Sequence, residues 1–292
     1  MIILLLLILC NVILAIIFKA FSEHGVDNLN AIITNYFICV VVASLIVGHF
    51  IIPMDLFDVK WFGYSIALSL CFIIGFNVMA YSFQKAGVAL TVIVSKMSLI
   101  LPVVFAVVLY NEKLPVLKTL GILAAIAAIV LVNLPGSSQS DQKIKISREI
   151  LMLPILVWFL SGLIEIILYY VQIESYVTND SITFVATSFG IAGILGSFYS
   201  GYRAFNSQIY PTSKDLIGGV ILGVPNFLTI YLLLYLLEKG WEGTVLFPIN
   251  NVSILLLTTL VGVVLYREKV NVLKGIGLIL SVIAIIFIGM NA

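Results

Sequence analysis

The sequence predicts an all-α integral membrane protein, with ten transmembrane helices arranged as two inverted five-helix repeats. Three observations carry that prediction. Of 292 residues, 62% are hydrophobic and 10% charged, against roughly 45–50% and about 25% in a soluble domain. Apolar runs of the length that crosses a hydrocarbon core of about 30 Å recur along the chain with short polar breaks. A charged turn also occurs twice: Leu-Tyr-Asn-Glu-Lys-Leu-Pro-Val-Leu-Lys-Thr-Leu-Gly ends at Gly121, and Leu-Tyr-Arg-Glu-Lys-Val-Asn-Val-Leu-Lys-Gly-Ile-Gly ends at Gly277. The register extends outward without a gap, setting Gly87 on Gly243, Leu99 on Leu255 and Ala128-Ile129 on Ala284-Ile285. Matching Glu, Lys and Gly positions are not a product of shared apolar composition, so the pattern reads as an internal duplication.

In order, the spans cover about 2–22, 29–52, 60–83, 88–110 and 116–134, then 150–173, 181–202, 215–237, 243–266 and 271–290. The first lacks a basic leader and reads as a retained span rather than a signal peptide. The single long polar break, 135–149, contains Pro, Gly, Ser and mixed charges, the composition of a flexible connector. It separates a first repeat, 1–134, from a second, 150–292. Because five is odd, the second repeat enters the membrane from the opposite side, and inverted repeats place their site near the midplane between the halves. In the seventh span, Gly190, Gly193 and Gly196 suit close backbone approach. Pro225 before Asn226 and Pro248 before Asn250-Asn251 mark breaks that suit either a cavity wall or an ordinary bundle. Cys10, Cys39 and Cys71 lie inside apolar runs without metal or disulfide spacing, as lipid-facing or packing residues.

Pro102 in the fourth span, Glu112 in the next turn with its repeat Glu268, and Gly121 with its repeat Gly277, set in ten short helices, resemble the EamA-type members of the drug/metabolite transporter superfamily. The chain departs from that pattern where Asn111 and Arg267 replace the usual Gly before the Glu, and where Thr258 stands in the place of Pro102. The resemblance implies a secondary transporter or exporter of small metabolites, with a central cavity lined by the first four helices of each half. It also implies a bacterial inner (plasma) membrane location, peripheral fifth and tenth helices, and both termini in the cytoplasm. The distribution of basic residues argues the reverse orientation: Lys19, Lys85, the connector, Arg203, Lys214, Arg267, Lys269 and Lys274 fall on the face opposite the termini, against Lys60, Lys113, Lys118 and Lys239.

Charge inside a span is unfavourable by about 2.5–3.5 kcal/mol, so intramembrane charges mark functional candidates. Glu165 sits on a stripe in the sixth span, Trp158, Ser161, Glu165, Tyr169 and Gln172, at steps of three or four. It is the candidate for proton coupling, with a structural hydrogen bond to a neighbouring helix as the alternative. Lys96, in the fourth span, suits a substrate carboxylate or phosphate, or else snorkels towards headgroups. Rise per residue separates the two charges in depth by about 9 Å, which disfavours a direct ion pair. It groups Asn77 and Tyr81 with Lys96, and Asn250 and Asn251 with Glu165; the repeat register sets Ser95 on Asn251. With Trp158, Tyr169, Asn226 and Asn11, these form the expected substrate-binding set. Glu112 and Glu268 read as structural turn residues that cap the fifth and tenth helices. Tyr231 and Tyr235 suit either substrate stacking or interfacial anchoring.

The expected function is alternating-access transport of a small polar or amphipathic metabolite, amino-acid-like or an organic anion, with coupling through Glu165. A flippase for lipid or lipid-linked sugar is the alternative within the same superfamily. An enzyme is disfavoured, since no HExxH, Ser-His-Asp or His-acid pair occurs in a span. No cofactor and no metal site are expected. The partners expected are a small-molecule substrate and the lipid bilayer, and the near-neutral charge argues against nucleic acid. A chain holding both halves suits a monomer or a homodimer.

Overall fold

A backbone in hydrocarbon must satisfy its own hydrogen bonds, and the apolar runs accordingly form helices. The computed structural model describes residues 1–51, 56–86, 88–134, 148–267 and 270–290. The helices are α1 (Ile2–His24), α2 (Asn28–Val47), α3 (Phe62–Lys85), α4 (Val88–Lys96), α5 (Ile100–Tyr110), α6 (Val116–Asn133), α7 (Arg148–Ile173), α8 (Ser181–Ser207), α9 (Ser213–Glu238), α10 (Gly243–Tyr266) and α11 (Val272–Gly289). A 3₁₀ turn, Met97–Leu99, joins α4 to α5 as one span, so the described residues supply ten helices long and apolar enough to cross a membrane. Pro102 explains the turn: it has no N–H to offer the carbonyl one turn back, and the chain tightens there to i→i+3 bonding.

Two ends differ from expectation. The second span closes at Val47 instead of 52 because Gly48 adopts φ 85° and its N–H bonds to the Ser44 carbonyl, a left-handed stop. The seventh runs on to Ser207 rather than 202, because Arg203 is held by Asp27 and the helix ends only at left-handed Gln208. Residues 135–147 of the expected connector, and Glu268, lie outside the described residues. All three cysteines are buried, so they pack rather than face lipid.

The chain divides into two compact units, each drawing on both ends of the sequence. One comprises Met1–Ile73 and Tyr170–Lys239. Here α9 lies against α2: a Cβ on Gly219 would stand 2.4 Å from Thr34 Cβ and 2.5 Å from the Ala31 carbonyl oxygen, and one on Gly223 would stand 2.2 Å from Ile38 Cγ2. Only hydrogen fits at those points, which is how small residues bring membrane helices together. Tyr36, Phe72 and Phe189 stack between α2, α3 and α8.

The other unit comprises Ile74–Tyr169 and Gly240–Ala292. Its α6 and α11 pack reciprocally. A Cβ on Gly121 would meet Ile288 Cγ1 at 2.7 Å, and one on Gly277 would meet Val132 Cγ2 at 2.7 Å. Gly121 matches Gly277 and Val132 matches Ile288 in the repeat register, and an early residue touches a late one both times. That is antiparallel pairing about a local pseudo-two-fold.

Candidate functional site

The stripe predicted on α7 finds a partner at nearly every step. Ser161 Oγ lies 3.2 Å from Ser95 Oγ. Glu165 Oε1 accepts from Asn251 Nδ2 at 3.0 Å. The Tyr169 hydroxyl donates to Glu112 Oε1. In the first unit, Gln172 Oε1 accepts from Ser181 Oγ at 3.5 Å.

Lys96 and Glu165 meet through Asn251, which is 5% exposed. Lys96 Nζ donates to Asn251 Oδ1 at 3.4 Å, while Asn251 Nδ2 donates to Glu165 Oε1 and, at 3.1 Å, to the Phe247 carbonyl. An ammonium can only donate and a carboxylate only accept, so these partners fix which way the amide points. Glu165 Oε2 is buried without a hydrogen-bond partner among the described residues, and so is Asn250 Oδ1. Leaving such atoms unpaired costs about 1–3 kcal/mol each, more for a charged group. The sequence put Lys96 and Glu165 in separate polar groups. Axial rise alone does not count the length of a lysine stem or the break at Met97–Leu99, and together these let both side chains reach one amide.

Other candidates are distributed between the units. The second unit also holds Asn77 and Trp158, both partly buried, and Tyr81, which is 50% exposed with Lys85 Nζ 5.7 Å from its ring centroid. Asn11 and Asn226 belong to the first unit. There Asn11 Nδ2 donates back to the Leu7 carbonyl at 2.9 Å, and Asn226 Nδ2 donates to Asn35 Oδ1 at 3.3 Å. Tyr231 lies between Phe227 and Tyr235 in a run of ring contacts along α9. A cavity of about 340 Å³ beside the end of α2, lined by residues including Ser44, Leu45 and His49, contains none of the candidates.

Glu112 is a helix cap, but of α10 rather than of the helix that follows it. Oε1 accepts from the Gly243 N–H at 2.8 Å, and Oε2 accepts from the Thr244 N–H at 2.8 Å and its hydroxyl at 2.6 Å. Left-handed Asn111, with φ 53°, turns the chain so that α6 begins after Pro115 with no side-chain cap of its own. The carboxylate suits the positive end of α10. Beside it, Lys118 is 1% exposed and pairs with Glu242 at 2.5 Å and with the Thr244 hydroxyl at 3.3 Å.

Sequence reasoning missed Asn35, Ser95, Lys118, Glu242 and Thr244 as members of polar networks. Lys118 carried a signal, because it repeats as Lys274 in the duplicated turn. Asn35 carried none beyond being an amide inside a span. Among the described residues, no three His, Cys, Asp or Glu side chains gather where they could hold a metal ion.

Residues 1–134 match the EamA-like transporter family. The chain carries an EamA-like transporter domain. An uncharacterized protein of Haemophilus influenzae is 28% identical over 294 residues, spanning 95% of this chain and 94% of the relative. A crystal structure of a protein at 16% identity superposes over 100% of this chain and 96% of its own, with a TM-score of 0.78, a likeness of fold. That match covers the first 134 residues, and with ten described helices long and apolar enough to cross a membrane the chain is a multi-pass integral membrane protein.

Proposed function

We propose that this transporter moves a small polar or amphipathic metabolite, amino-acid-like or an organic anion, by alternating access, and that Glu165 exchanges a proton in the cycle. The observation that carries the reading is the Lys96–Asn251–Glu165 chain, which ends on the unpartnered Glu165 Oε2. Lys96 holds the anionic group of the substrate as a point charge, while Asn77, Trp158 and Asn250, in the same unit, supply polar and aromatic lining. Residues 1–134 and 150–292 act as the two inverted repeats of the cycle, a reading supported by the reciprocal Gly121–Ile288 and Gly277–Val132 contacts.

The test is flux into proteoliposomes under an imposed pH gradient, with a panel of amino acids, nucleosides and organic anions. The wild type accumulates at least one anionic or zwitterionic member. Lys96→Ala and Glu165→Gln lower that accumulation at least tenfold while eluting as folded protein. Accumulation by both variants at the wild-type rate overturns the proposal.

A further inference from the structure

A hydrogen-bonded chain in the second unit runs from an exposed carboxylate to within one helical turn of Glu165. It starts at Glu242, whose side chain is 48% exposed and held by Lys118. Glu242 Oε2 lies 3.4 Å from Thr244 Oγ1, which lies 2.6 Å from Glu112 Oε2; Glu112 Oε1 accepts the Tyr169 hydroxyl. Tyr169 is 1% exposed, with its ring edge-on to Phe105, Tyr110 and Phe247. Four residues earlier on α7 stands Glu165, about 6 Å away along the axis.

We infer that Tyr169, Glu112 and Thr244 form the proton path between Glu165 and the membrane face at which Glu242 lies. Outward, the proton of Glu165 passes through one intervening water molecule to the Tyr169 oxygen as the phenolic proton moves to Glu112 Oε1. The Glu112 carboxyl turns to present that proton to Thr244 Oγ1, whose hydroxyl swings from Glu112 to Glu242; Thr244 Oγ1 takes the Glu112 proton and gives its own to Glu242 Oε2. Inward transfer reverses each hop, and only O–H bonds form or break. The charged and titratable groups facing this path are Lys96 from α4, Tyr110 from α5 and Lys118 from α6. Lys118 donates to both Thr244 and Glu242, and so keeps the outer end in register. Capping by Glu112 is then a second duty of a carboxylate whose first is to relay.

The inference rests on the reading of Glu165 as a proton site, and the experiment separates the two. Protein in lipid nanodiscs is transferred into D₂O, and the infrared carbonyl band of protonated Glu165, assigned by its loss in Glu165→Gln, is followed as it shifts. Tyr169→Phe removes one O–H and keeps the ring packing; it slows deuteration at least tenfold, as does Glu112→Gln. Tyr170→Phe, in the Tyr64–Tyr170–Tyr176 cluster of the first unit, leaves the rate unchanged. Exchange in Tyr169→Phe at the wild-type rate overturns the path and leaves the proton site standing. A spectrum with no carbonyl band lost in Glu165→Gln at any pH overturns both.

Discussion

The two units handle charge in different ways. In the first, the charges pair at helix ends, and the buried atoms left without a partner among the described residues, Asn30 Nδ2, Ser44 Oγ, Trp61 Nε1 and Thr187 Oγ1, belong to neutral groups. Asp27 takes both guanidinium nitrogens of Arg203, at 3.2 and 2.8 Å, and caps α2 through the Asn30 N–H at 3.0 Å. Asp215 receives the Asp27 N–H at 2.7 Å and completes a capping box with Thr212. Deeper in, Asn35 Oδ1 serves Asn226 and Cys39, and Asn30 Oδ1 serves Ser200. In the second unit, a lysine and a glutamate inside spans share one amide, and a carboxylate oxygen is left over. The first pattern is what helix ends and helix contacts need. The second leaves a carboxylate oxygen unpaired inside a span, which costs more than an unpaired neutral group, and the proposed site rests on that.

The largest effect that comparison predicts falls on the first unit, whose integrity depends on helix contact rather than on charge. Gly219→Val puts a branched Cβ against the Ala31 carbonyl oxygen and Thr34, where a Cβ alone already collides. Overpacking costs about 1–3 kcal/mol where neighbours can yield, and a backbone oxygen yields least. The expected result is a loss of about 3 kcal/mol, seen as a clear drop in thermal midpoint in detergent. A midpoint equal to wild type would mean that α2 and α9 are not in contact there.

Next in size is a matched pair of amides. Asn251→Ala breaks the link between Lys96 and Glu165 and lowers flux at least tenfold, about 1.4 kcal/mol in the rate-limiting step. Asn226→Ala removes one donor from Asn35, costs about 1 kcal/mol of stability and leaves flux within twofold. If both variants lose flux equally, the contrast between the units fails and Asn226 returns to the site.

How far the sequence could go follows from what kind of fact each feature is. Spans, repeat and unequal charge burden are properties of one-dimensional order, because bilayer thickness and helix rise convert residue counts directly into depth. The α7 stripe was legible for the same reason: steps of three and four put Ser161, Glu165 and Tyr169 on one face. Partners were not legible. That Asn251 joins Lys96 to Glu165 depends on the break before Pro102 and on stem length, and that Glu112 caps α10 depends on left-handed Asn111. Neither has a signature in hydropathy.

The smallest effect concerns the clasp at the ends of α2 and α8, where pH distinguishes a structural ion pair from a transport group. Burial by itself would raise the Asp27 pKa, but the hydrogen bonds and charge of Arg203, with the backbone N–H of Asn30, hold it below the ordinary carboxylate value. A lowered folded-state pKa contributes stability above the unfolded-state value, near 3.9, and that contribution is lost as pH falls through the folded-state value. Asp27→Asn therefore lowers stability by about 1 kcal/mol at pH 6, a figure kept small because the pair is partly exposed. The gap between variant and wild-type thermal midpoints narrows below about pH 4 and closes at lower pH, while the pH dependence of flux stays that of the wild type. A shift in that flux profile would place the first unit's carboxylate in the transport cycle and erase the division of labour between the units.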